Sequence, residues 1–420
     1  MNETIKHRIE QICRGEVPKG YKKTKVGIVP EEWEEIRFNK KFSRVNRKNT
    51  EGNTNVLTIS AQYGLINQEE FFNKSVASED KSTYFLLKKG EYAYNKSYSS
   101  GYPFGALKRL ERYDSGVVSP LYICFAATSE NKCPDFYSQY FEAGKMNSEI
   151  QAFAQEGARN HGLLNISVDD FFNSVIVSPS LAEQEKIAEI LATQDKVIEL
   201  KEKLLEEKKN QKKYLMQQLL TGKKRLPGFS GEWKKTKLKK LLKERKTYSQ
   251  KGLEYPHVTL SNEGIYAKTE RYDRDHLVKA EDKEYKITLL NDICFNPANL
   301  KFGAICLNDF GNAIFSPIYV TFEVTENANL RFISSYMMRW DFINAVRKYE
   351  EGTVYERMAV KPEDLLNYEV LLPSLDEQKA IAAILTNTDK EISLIQESIE
   401  QEKQKKKALM QLLLSGIVRV

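Results

Sequence analysis

The chain has 420 residues and a formal net charge of +6, with 29% charged and 41% hydrophobic residues. That length allows two or three domains, each large enough to bury its own core. No stretch approaches the roughly 20 apolar residues of a membrane helix, and the N-terminal residues lack an apolar signal core. We therefore expect a cytoplasmic protein.

Cysteine and histidine usage argues against a metal centre. The cysteines are Cys13, Cys124, Cys133, Cys294 and Cys306, at spacings that do not repeat, and there are only 4 histidines. Structural zinc sites need closely spaced cysteine and histidine pairs, which this pattern does not offer. We expect neutral or buried thiols in a reducing compartment, and no metal ligand.

In chain order, the sequence predicts a helical segment at 1–19, a first module at 20–177 and a second module at 223–371. Alternating strand-like runs such as Asn55–Ser60 and Val258–Ser261 are separated by Gly and Asn turns, and aromatic-rich helical stretches follow them. Each module is therefore a mixed arrangement of helices and strands. The predicted fold class is α+β, with two α/β modules in a pseudo-twofold tandem repeat.

Several landmarks recur in the same order in both modules, although the sequences between them have diverged. They are a tryptophan after a turn (Trp33 and Trp233), an aromatic-asparagine pair (Tyr94-Asn95 and Phe295-Asn296), a Ser-Pro pair (Ser119-Pro120 and Ser316-Pro317) and a Glu-Gly turn (Glu156-Gly157 and Glu351-Gly352). A shared framework with a diverged surface is expected if two copies keep one shape and recognise different targets.

Each module is followed by a segment, 178–222 or 372–420, and these two segments are close copies of each other. Pro179–Gly222 and Pro373–Gly416 align without a gap at an offset of 194 residues. A period this long indicates tandem duplication of a whole module-plus-helix unit. Pro179 and Pro373 precede each helical pattern, where proline is tolerated, and Gly222 and Gly416 are predicted C-terminal caps.

Both copies keep the alternating spacing of four and three residues that is typical of a coiled coil. The apolar seam consists of Ile187, Leu191, Ile198, Leu205, Leu215 and Leu219 in the first copy, and Ile381, Leu385, Ile392, Ile395, Ile399, Leu409 and Leu413 in the second. Polar seam positions, including Gln194, Lys201 and Glu402, weaken each helix alone. We therefore expect the two helices to pair.

An antiparallel pair is expected, because parallel helices would bring both modules to the same end. About 39 helical residues at ~1.5 Å each would give helices of roughly 58 Å. The alternative is two independent surface helices on one compact body.

A dense basic run follows the first long helix, between Lys223 and Lys246. It has the charge density that neutralising a phosphate backbone requires. The alternative is an ordinary solvated face. The basic residues are Lys223, Lys224, Arg225, Lys234, Lys235, Lys237, Lys239, Lys240, Lys243, Arg245 and Lys246, opposed only by Glu232 and Glu244.

Aromatic, amide and cationic residues at matching places in the two modules are candidates for contacts with DNA. Arg and Lys can pair with guanine edges or phosphates, and Asn with adenine edges. The alternative is that they are ordinary surface residues, with Tyr92 and Tyr94 alternating into a core. The candidates are Tyr94, Asn95, Lys96, Tyr98, Tyr102, Arg109, Arg159, Asn160, His161, Arg271, Arg274, Asn296, Asn299, Lys301, Tyr355 and Arg357.

The sequence contains no recognised catalytic motif: no phosphate-binding loop, dinucleotide fingerprint or His-Glu-x-x-His. Asn296-Pro297-Ala298-Asn299 distantly resembles the Asn-Pro-Pro-aromatic motif of amino-methyltransferases, but it lacks the second proline and the aromatic residue. Two alternatives stay open: a stand-alone methyltransferase or nuclease, and a coiled-coil scaffold without a role on DNA.

The long-helix segments resemble the conserved helices of type I restriction-modification specificity subunits. The resemblance rests on the PSLxEQxxIAxIL openings, on Asp195-Lys196 and Asp389-Lys390, and on the closing LMQQLLTG and LMQLLLSG. Gly20-Tyr21, 27–33 and 226–233 resemble the segments that open that family's recognition domains. The order of domain, helix, domain and helix is also that of the family.

This resemblance implies a non-catalytic subunit with two target-recognition domains, each reading one half of a bipartite, asymmetric site in double-stranded DNA. The helices would fix the gap between the halves and dock two methyltransferase subunits, which use S-adenosylmethionine to methylate adenine. Restriction subunits would add ATP- and Mg-dependent cleavage. No cofactor is expected in this chain itself.

Overall fold

The computed structural model describes residues 3–60, 63–72, 80–98, 101–156, 164–250, 255–261, 264–268, 284–351 and 358–420. The chain divides into two compact units. Unit 1 comprises Met1–Lys201 and Ser398–Val420, and unit 2 comprises Glu202–Glu397. Each unit thus contains one predicted module and part of each of the two long helices.

Unit 1 combines fourteen described strands with short helices. The strands are β1 (Tyr21–Thr24), β2 (Gly27–Pro30), β3 (Glu34–Arg37), β4 (Phe42–Arg44), β5 (Leu57–Ser60), β6 (Gly64–Asn67), β7 (Phe85–Lys88), β8 (Tyr92–Asn95), β9 (Ala106–Arg109), β10 (Ser115–Val118), β11 (Ile123–Ala127), β12 (Gln155–Glu156), β13 (Leu164–Asn165) and β14 (Val175–Ser178). The helices are α1 (Glu3–Cys13), α2 (Phe38–Lys41), α3 (Gln68–Phe72), α4 (Pro134–Glu142), α5 (Asn147–Phe153), α6 (Val168–Asn173) and the start of α7 (Leu181–Leu219).

A four-stranded antiparallel sheet in the order β4-β11-β8-β9 is the centre of unit 1. Its register places Phe125 of β11 opposite Arg44 of β4 and Tyr92 of β8. One face carries a dense aromatic cluster in which Phe38 and Phe42 stack with ring centroids 4.6 Å apart. Aromatic side chains bury the most surface per residue, so this face supplies much of the unit's core.

Unit 2 repeats the arrangement, and three 3-10 helices occur among its described residues. Its strands are β15 (Lys234–Lys237), β16 (Leu242–Glu244), β17 (Tyr248–Gln250), β18 (Val258–Ser261), β19 (Gly264–Ala267), β20 (Glu284–Thr288), β21 (Ile293–Phe295), β22 (Ile305–Leu307), β23 (Ala313–Phe315), β24 (Val320–Val324), β25 (Glu350–Glu351), β26 (Ala359–Val360) and β27 (Glu369–Leu372). Its helices are η1 (Leu238–Lys240), η2 (Pro297–Phe302), α8 (Leu330–Met337), α9 (Trp340–Val346), η3 (Arg347–Tyr349), α10 (Pro362–Asn367) and the start of α11 (Leu375–Leu413).

The sheet orders show that the two units share one topology. The four-stranded sheet β16-β24-β21-β22 of unit 2 matches β4-β11-β8-β9 of unit 1 strand for strand. The hairpins β5-β6 and β18-β19 correspond, as do the pairs β3-β14 and β15-β27 that lead into the long helices. The predicted α+β class with a tandem repeat is therefore confirmed.

The long helices α7 and α11 each contain 39 residues. Each begins two residues after the predicted proline and ends before the predicted glycine. Gly222 and Gly416 have φ of +72° and +67°, the left-handed conformation that glycine adopts without strain. The glycine caps predicted from the sequence are confirmed.

Polar contacts show that α7 and α11 run antiparallel within each unit. In unit 1, Lys201 binds Glu402 at 2.7 Å, whereas the earlier residue Asp195 binds the later residue Lys406 at 2.6 Å. In unit 2, Lys208 pairs with Glu391 at 2.7 Å, whereas the later residue Lys212 pairs with the earlier residue Asp389 at 2.5 Å. The polar residues that interrupt the apolar seam are thus matched across the pair.

The seam also carries apolar side chains into the core of each unit. Every seam position named above is buried or half-buried. Ile187, Leu191 and Leu413 belong to the same buried cluster as the aromatic residues of unit 1. Leu219 and Ile381 join the corresponding cluster of unit 2. The helices are therefore part of both cores. Among the helices within the described ranges, none has the length and hydrophobicity needed to cross a membrane.

Candidate nucleic-acid interface

The described candidates of unit 1 lie on β8, on β9 and on the segment that joins them. Tyr94, at the end of β8, is completely buried, and its hydroxyl donates a 2.6 Å hydrogen bond to the carbonyl oxygen of Phe104. Its ring stacks on Phe171 with centroids 5.2 Å apart. The prediction that Tyr94 contacts DNA is corrected, because alternation along β8 directs its side chain into the core.

The residues after Tyr94 become progressively more exposed to solvent. The Asn95 side chain accepts a hydrogen bond from the backbone N–H of Ser97 and so shapes the turn. Lys96 is half-buried, and burial lowers the pKa of its amine. Tyr98 is 65% exposed. Of these candidates, Tyr98 presents the largest open face to a ligand.

Tyr102 and Arg109 are held by neighbouring charges. The hydroxyl of Tyr102 donates to Glu142 at 2.7 Å, and burial, with Glu142 beside it, raises the Tyr102 pKa. Arg109 pairs with Glu111 and with Asp135, and its guanidinium lies 6.0 Å from the ring centroid of Tyr92. These contacts fix the surface around the β8–β9 segment.

The β21–β22 segment of unit 2 occupies the same topological place and has a different structure. Asn296 is buried, and its side chain caps the 3-10 helix η2 by accepting a 3.1 Å hydrogen bond from the N–H of Ala298. Its predicted role in DNA contact is therefore corrected to a structural one. Asn299 is half-buried, whereas Lys301 is exposed at the surface of η2.

An exposed aromatic residue, Phe302, was missed by the sequence analysis. It is 62% exposed, and the amine of Lys301 lies 5.1 Å from its ring centroid. An exposed ring beside a cation can stack on a base while the cation neutralises a phosphate. Tyr98 in unit 1 and Phe302 in unit 2 thus provide one exposed ring each on corresponding segments. The adjacent Lys301-Phe302 pair was the available sequence signal.

The other seven predicted DNA-contact residues lie outside the described residues. They are Arg159, Asn160, His161, Arg271, Arg274, Tyr355 and Arg357.

The basic run of unit 2 divides into surface lysines and paired arginines. Along β15, η1 and β16, Lys234, Lys235, Lys237, Lys239, Lys240 and Lys243 are all exposed. Arg225 and Arg245 instead bind the buried carboxylates of Glu377 and Asp292. The corresponding strand β3 of unit 1 begins with Glu34 and Glu35. Exposed Arg37 and Lys40 of unit 1 match Lys237 and Lys240, so the two units differ in charge at the start of this strand and share cations after it.

Titratable groups in the described ranges offer little catalytic chemistry. No cluster of three His, Cys, Asp or Glu residues there could hold a metal ion. Burial raises the pKa of the Cys124 and Cys306 thiols to about 12. Such thiols stay protonated at neutral pH, and the thiolate is the nucleophilic form. The corresponding surface segments of the two units present exposed rings and a cation: Tyr98 in unit 1, and Lys301 with Phe302 in unit 2.

Comparisons with known proteins agree with this architecture. Residues 230–404 match the model of the Type I restriction modification DNA specificity domain. The chain is 24% identical over 434 residues to the putative type I restriction enzyme MjaX specificity subunit of Methanocaldococcus jannaschii, covering 95% of this chain and 97% of that protein. It is 25% identical over 291 residues to the MjaVIII specificity subunit of the same organism, covering 64% and 68%.

A solved structure from work on complex assembly and conformational transition of the type I R-M system has a TM-score of 0.56 with this chain. Sequence identity is 14%, and the match covers 93% of this chain and 99% of that one. At this identity the match shows a common fold. Together with the family model, the matches confirm the predicted resemblance to type I restriction-modification specificity subunits.

Proposed function

We propose that this chain is the DNA-specificity subunit of a type I restriction-modification complex. Each unit reads one half of a bipartite, asymmetric site in double-stranded DNA. The observation that carries the proposal is one duplicated fold whose corresponding surface segments differ: a turn with an exposed tyrosine in unit 1, and a capped 3-10 helix with a lysine-phenylalanine pair in unit 2. Two copies of a single fold with different reading surfaces suit an asymmetric target.

The long helices would set the gap between the half-sites and carry the partner subunits. Each helix is a continuous 39-residue element whose two parts belong to different units. Its seam is held by apolar packing and by matched polar pairs such as Lys201–Glu402. A helix pair fixed at so many points is suited to hold a spacing and to present a rigid face for docking.

The chain itself would be non-catalytic. Two methyltransferase subunits would supply the S-adenosylmethionine site and the pocket for a flipped adenine, because a base must leave the stack before its amine can be methylated. Restriction subunits would bind ATP and Mg. Support for this division comes from the similarity to type I specificity subunits and from the exposed rings on the corresponding segments of the two units.

Reconstitution of methyl transfer tests the proposal. The chain is combined with the methyltransferase subunit of its own host, labelled S-adenosylmethionine and fragments of host DNA. We expect transfer only when both proteins are present, and none from the chain alone. Equal transfer by the methyltransferase subunit with and without the chain would contradict a specificity role, and transfer by the chain alone would contradict a non-catalytic one.

A further inference from the structure

A groove of about 390 Å³ lies within unit 1, between the β8–β9 segment and the C-terminal part of α11. Glycines line one wall, including Gly101 and Gly105. Lysines from α11 line the other, including Lys403 and Lys407. Apolar side chains, among them Leu107, Phe141 and Met410, also line the groove, and the lysine amines give it positive charge.

The lysine wall follows from helical spacing. Residues 403 and 407 are four apart, so their side chains lie on one face of α11. Lys406 between them pairs with Asp195 of α7 at 2.6 Å and is only 18% exposed. Lys403 and Lys407 are exposed. The Lys403 amine lies 3.9 Å from the carboxylate of Glu400, and within the described ranges no hydrogen bond or ion pair of Lys407 is found. The helix thus uses one lysine in the scaffold and presents two amines to the groove.

The two glycines of this wall differ in the space around them. Gly101 has φ of +85° and open space around the position that a Cβ would occupy. At Gly105 a Cβ would lie 2.3 Å from the carbonyl oxygen of Asn95 and 2.7 Å from the ring of Tyr94, so packing inside unit 1 requires glycine there. Glycine commonly marks places where another backbone comes near.

The acidic residue in the groove is already neutralised. Glu142 lines it between the two walls. Its carboxylate accepts a hydrogen bond from the Tyr102 hydroxyl and forms an ion pair with Lys108. The field in the groove is therefore dominated by the amines of α11.

The two exposed lysines are repeated in the other long helix. At the offset of 194 residues, Lys209 and Lys213 of α7 correspond to Lys403 and Lys407, and both are exposed. Lys406 likewise corresponds to Lys212, whereas Gln404 and Lys405 correspond to Asn210 and Gln211. Both copies of the helix therefore carry lysines at these three positions.

We propose that this groove holds the phosphodiester backbone of the target duplex, with Lys403 and Lys407 each neutralising a phosphate. The inference rests on the proposed function and adds to it a contact that is independent of base sequence. Lysine provides a flexible point charge, suited to a phosphate rather than to a base edge. The groove would therefore set the affinity and position of the duplex in unit 1.

The salt dependence of DNA binding tests the groove directly. Lys403→Gln, Lys407→Gln and the double variant are assembled with the methyltransferase subunit, and affinity is measured for duplexes with and without the target site. Loss of one phosphate contact lowers the slope of log affinity against log salt by about 1 and the affinity roughly fivefold near 0.15 M salt. We expect this slope to fall by about 1 in each single variant and by about 2 in the double variant. The preference for the target site over other DNA should not change.

Lys405→Gln is the matched control, because Lys405 is an exposed lysine of the same helix that does not line the groove. Its slope should equal that of the unaltered chain. If the unaltered chain binds its target but the Lys403 and Lys407 variants show unchanged slopes, the groove does not bind phosphates. The proposed function would not be affected by that result. Loss of assembly with the methyltransferase subunit would also overturn the phosphate-binding groove, since the lysines would then contact protein. If the unaltered complex does not bind the target, both the phosphate-binding groove and the proposed function are contradicted.

Discussion

Arg225 binds Glu377 in unit 2 through two hydrogen bonds of 2.6 and 2.7 Å. Arg225 lies just beyond the end of α7, and the buried Glu377 lies in the first turn of α11. Unit 1 has the equivalent contact, 194 residues away in both partners: Arg419 binds Glu183. Each pair ties the end of one long helix to the beginning of the other, so that the duplication is also a duplication of contacts.

The first prediction concerns this pair. Arg225→Ala leaves the buried carboxylate of Glu377 without its partner, and an unpaired buried charge is destabilising. We expect the thermal midpoint of unit 2 to fall by about 2–4 °C, a shift that scanning calorimetry resolves. Arg331→Ala is the control, because Arg331 and Asp309 form an exposed pair, which contributes little. Equal midpoints for the two variants would show that the Arg225 contact adds no stability.

The second prediction compares the two glycine caps. Both Gly222→Ala and Gly416→Ala place a side chain in the left-handed region, at a cost of roughly 1–2 kcal/mol. At Gly416 the new Cβ would also lie 2.4 Å from the ring of Pro30, whereas at Gly222 the nearest atoms, of Trp233, are at an ordinary 3.4 Å. Overpacking adds about 1–3 kcal/mol. Denaturant unfolding should show the larger loss for Gly416→Ala, and equal losses would contradict the close packing at Pro30.

The third prediction concerns pH. Hydrogen bonds from Lys201 and Gln194 lower the pKa of Glu402 to about 2, from an ordinary value of 4.5. A carboxyl whose pKa is lower in the folded state stabilises it above the unfolded value, and this contribution is lost as pH falls from about 4.5 to about 2. Glu402→Gln should therefore reduce stability at neutral pH, and its stability should converge with that of the unaltered chain near pH 2.

Acid titration of unfolding, followed by circular dichroism, measures this convergence. Glu400→Gln is the control, since Glu400 is 69% exposed and its contact with Lys403 is 3.9 Å long. It should leave the pH profile unchanged. If the stabilities of Glu402→Gln and the unaltered chain differ by the same amount at every pH, the lowered pKa of Glu402 is not the cause of the difference.

The fourth prediction concerns the spacing between half-sites. Seven residues inserted into both helices, after Lys201 in α7 and after Glu397 in α11, preserve the seam because seven is the heptad period. The insertion lengthens each helix by about 10.5 Å, and the DNA gap should grow by about 3 base pairs. Selection of binding sites from random duplexes measures the gap. An unchanged gap in a folded variant would contradict the proposed spacing role.

The sequence was sufficient for the features that depend on period and repetition. The heptad spacing located the seam from Ile187 to Leu219, and the exact offset identified the duplicated unit before any contact was known. Glycine caps followed from the chemistry of positive φ. These are local properties, and local sequence determines them.

Contacts between distant residues and the direction of strand side chains could not be predicted. Arg225 and Glu377 are 152 positions apart, and a basic run gives no sign of which cation is paired. Tyr94 and Asn296 have residue types that occur both at DNA surfaces and in cores, and only strand register and capping decide between them. The polar seam residues led to the expectation that the helices pair, and the structure confirms it, but the particular partners Lys201 and Glu402 could not be predicted.

The most direct test of the central claim is genome-wide mapping of N6-methyladenine in cells that produce the host's methyltransferase subunit with or without this chain. We expect a new bipartite, asymmetric motif with a fixed gap, present only when the chain is produced. Exchange of residues 223–371 for another recognition module should then change one half of the motif and preserve the other. A motif that does not depend on the chain, or no new methylation despite a stable complex, would contradict the account.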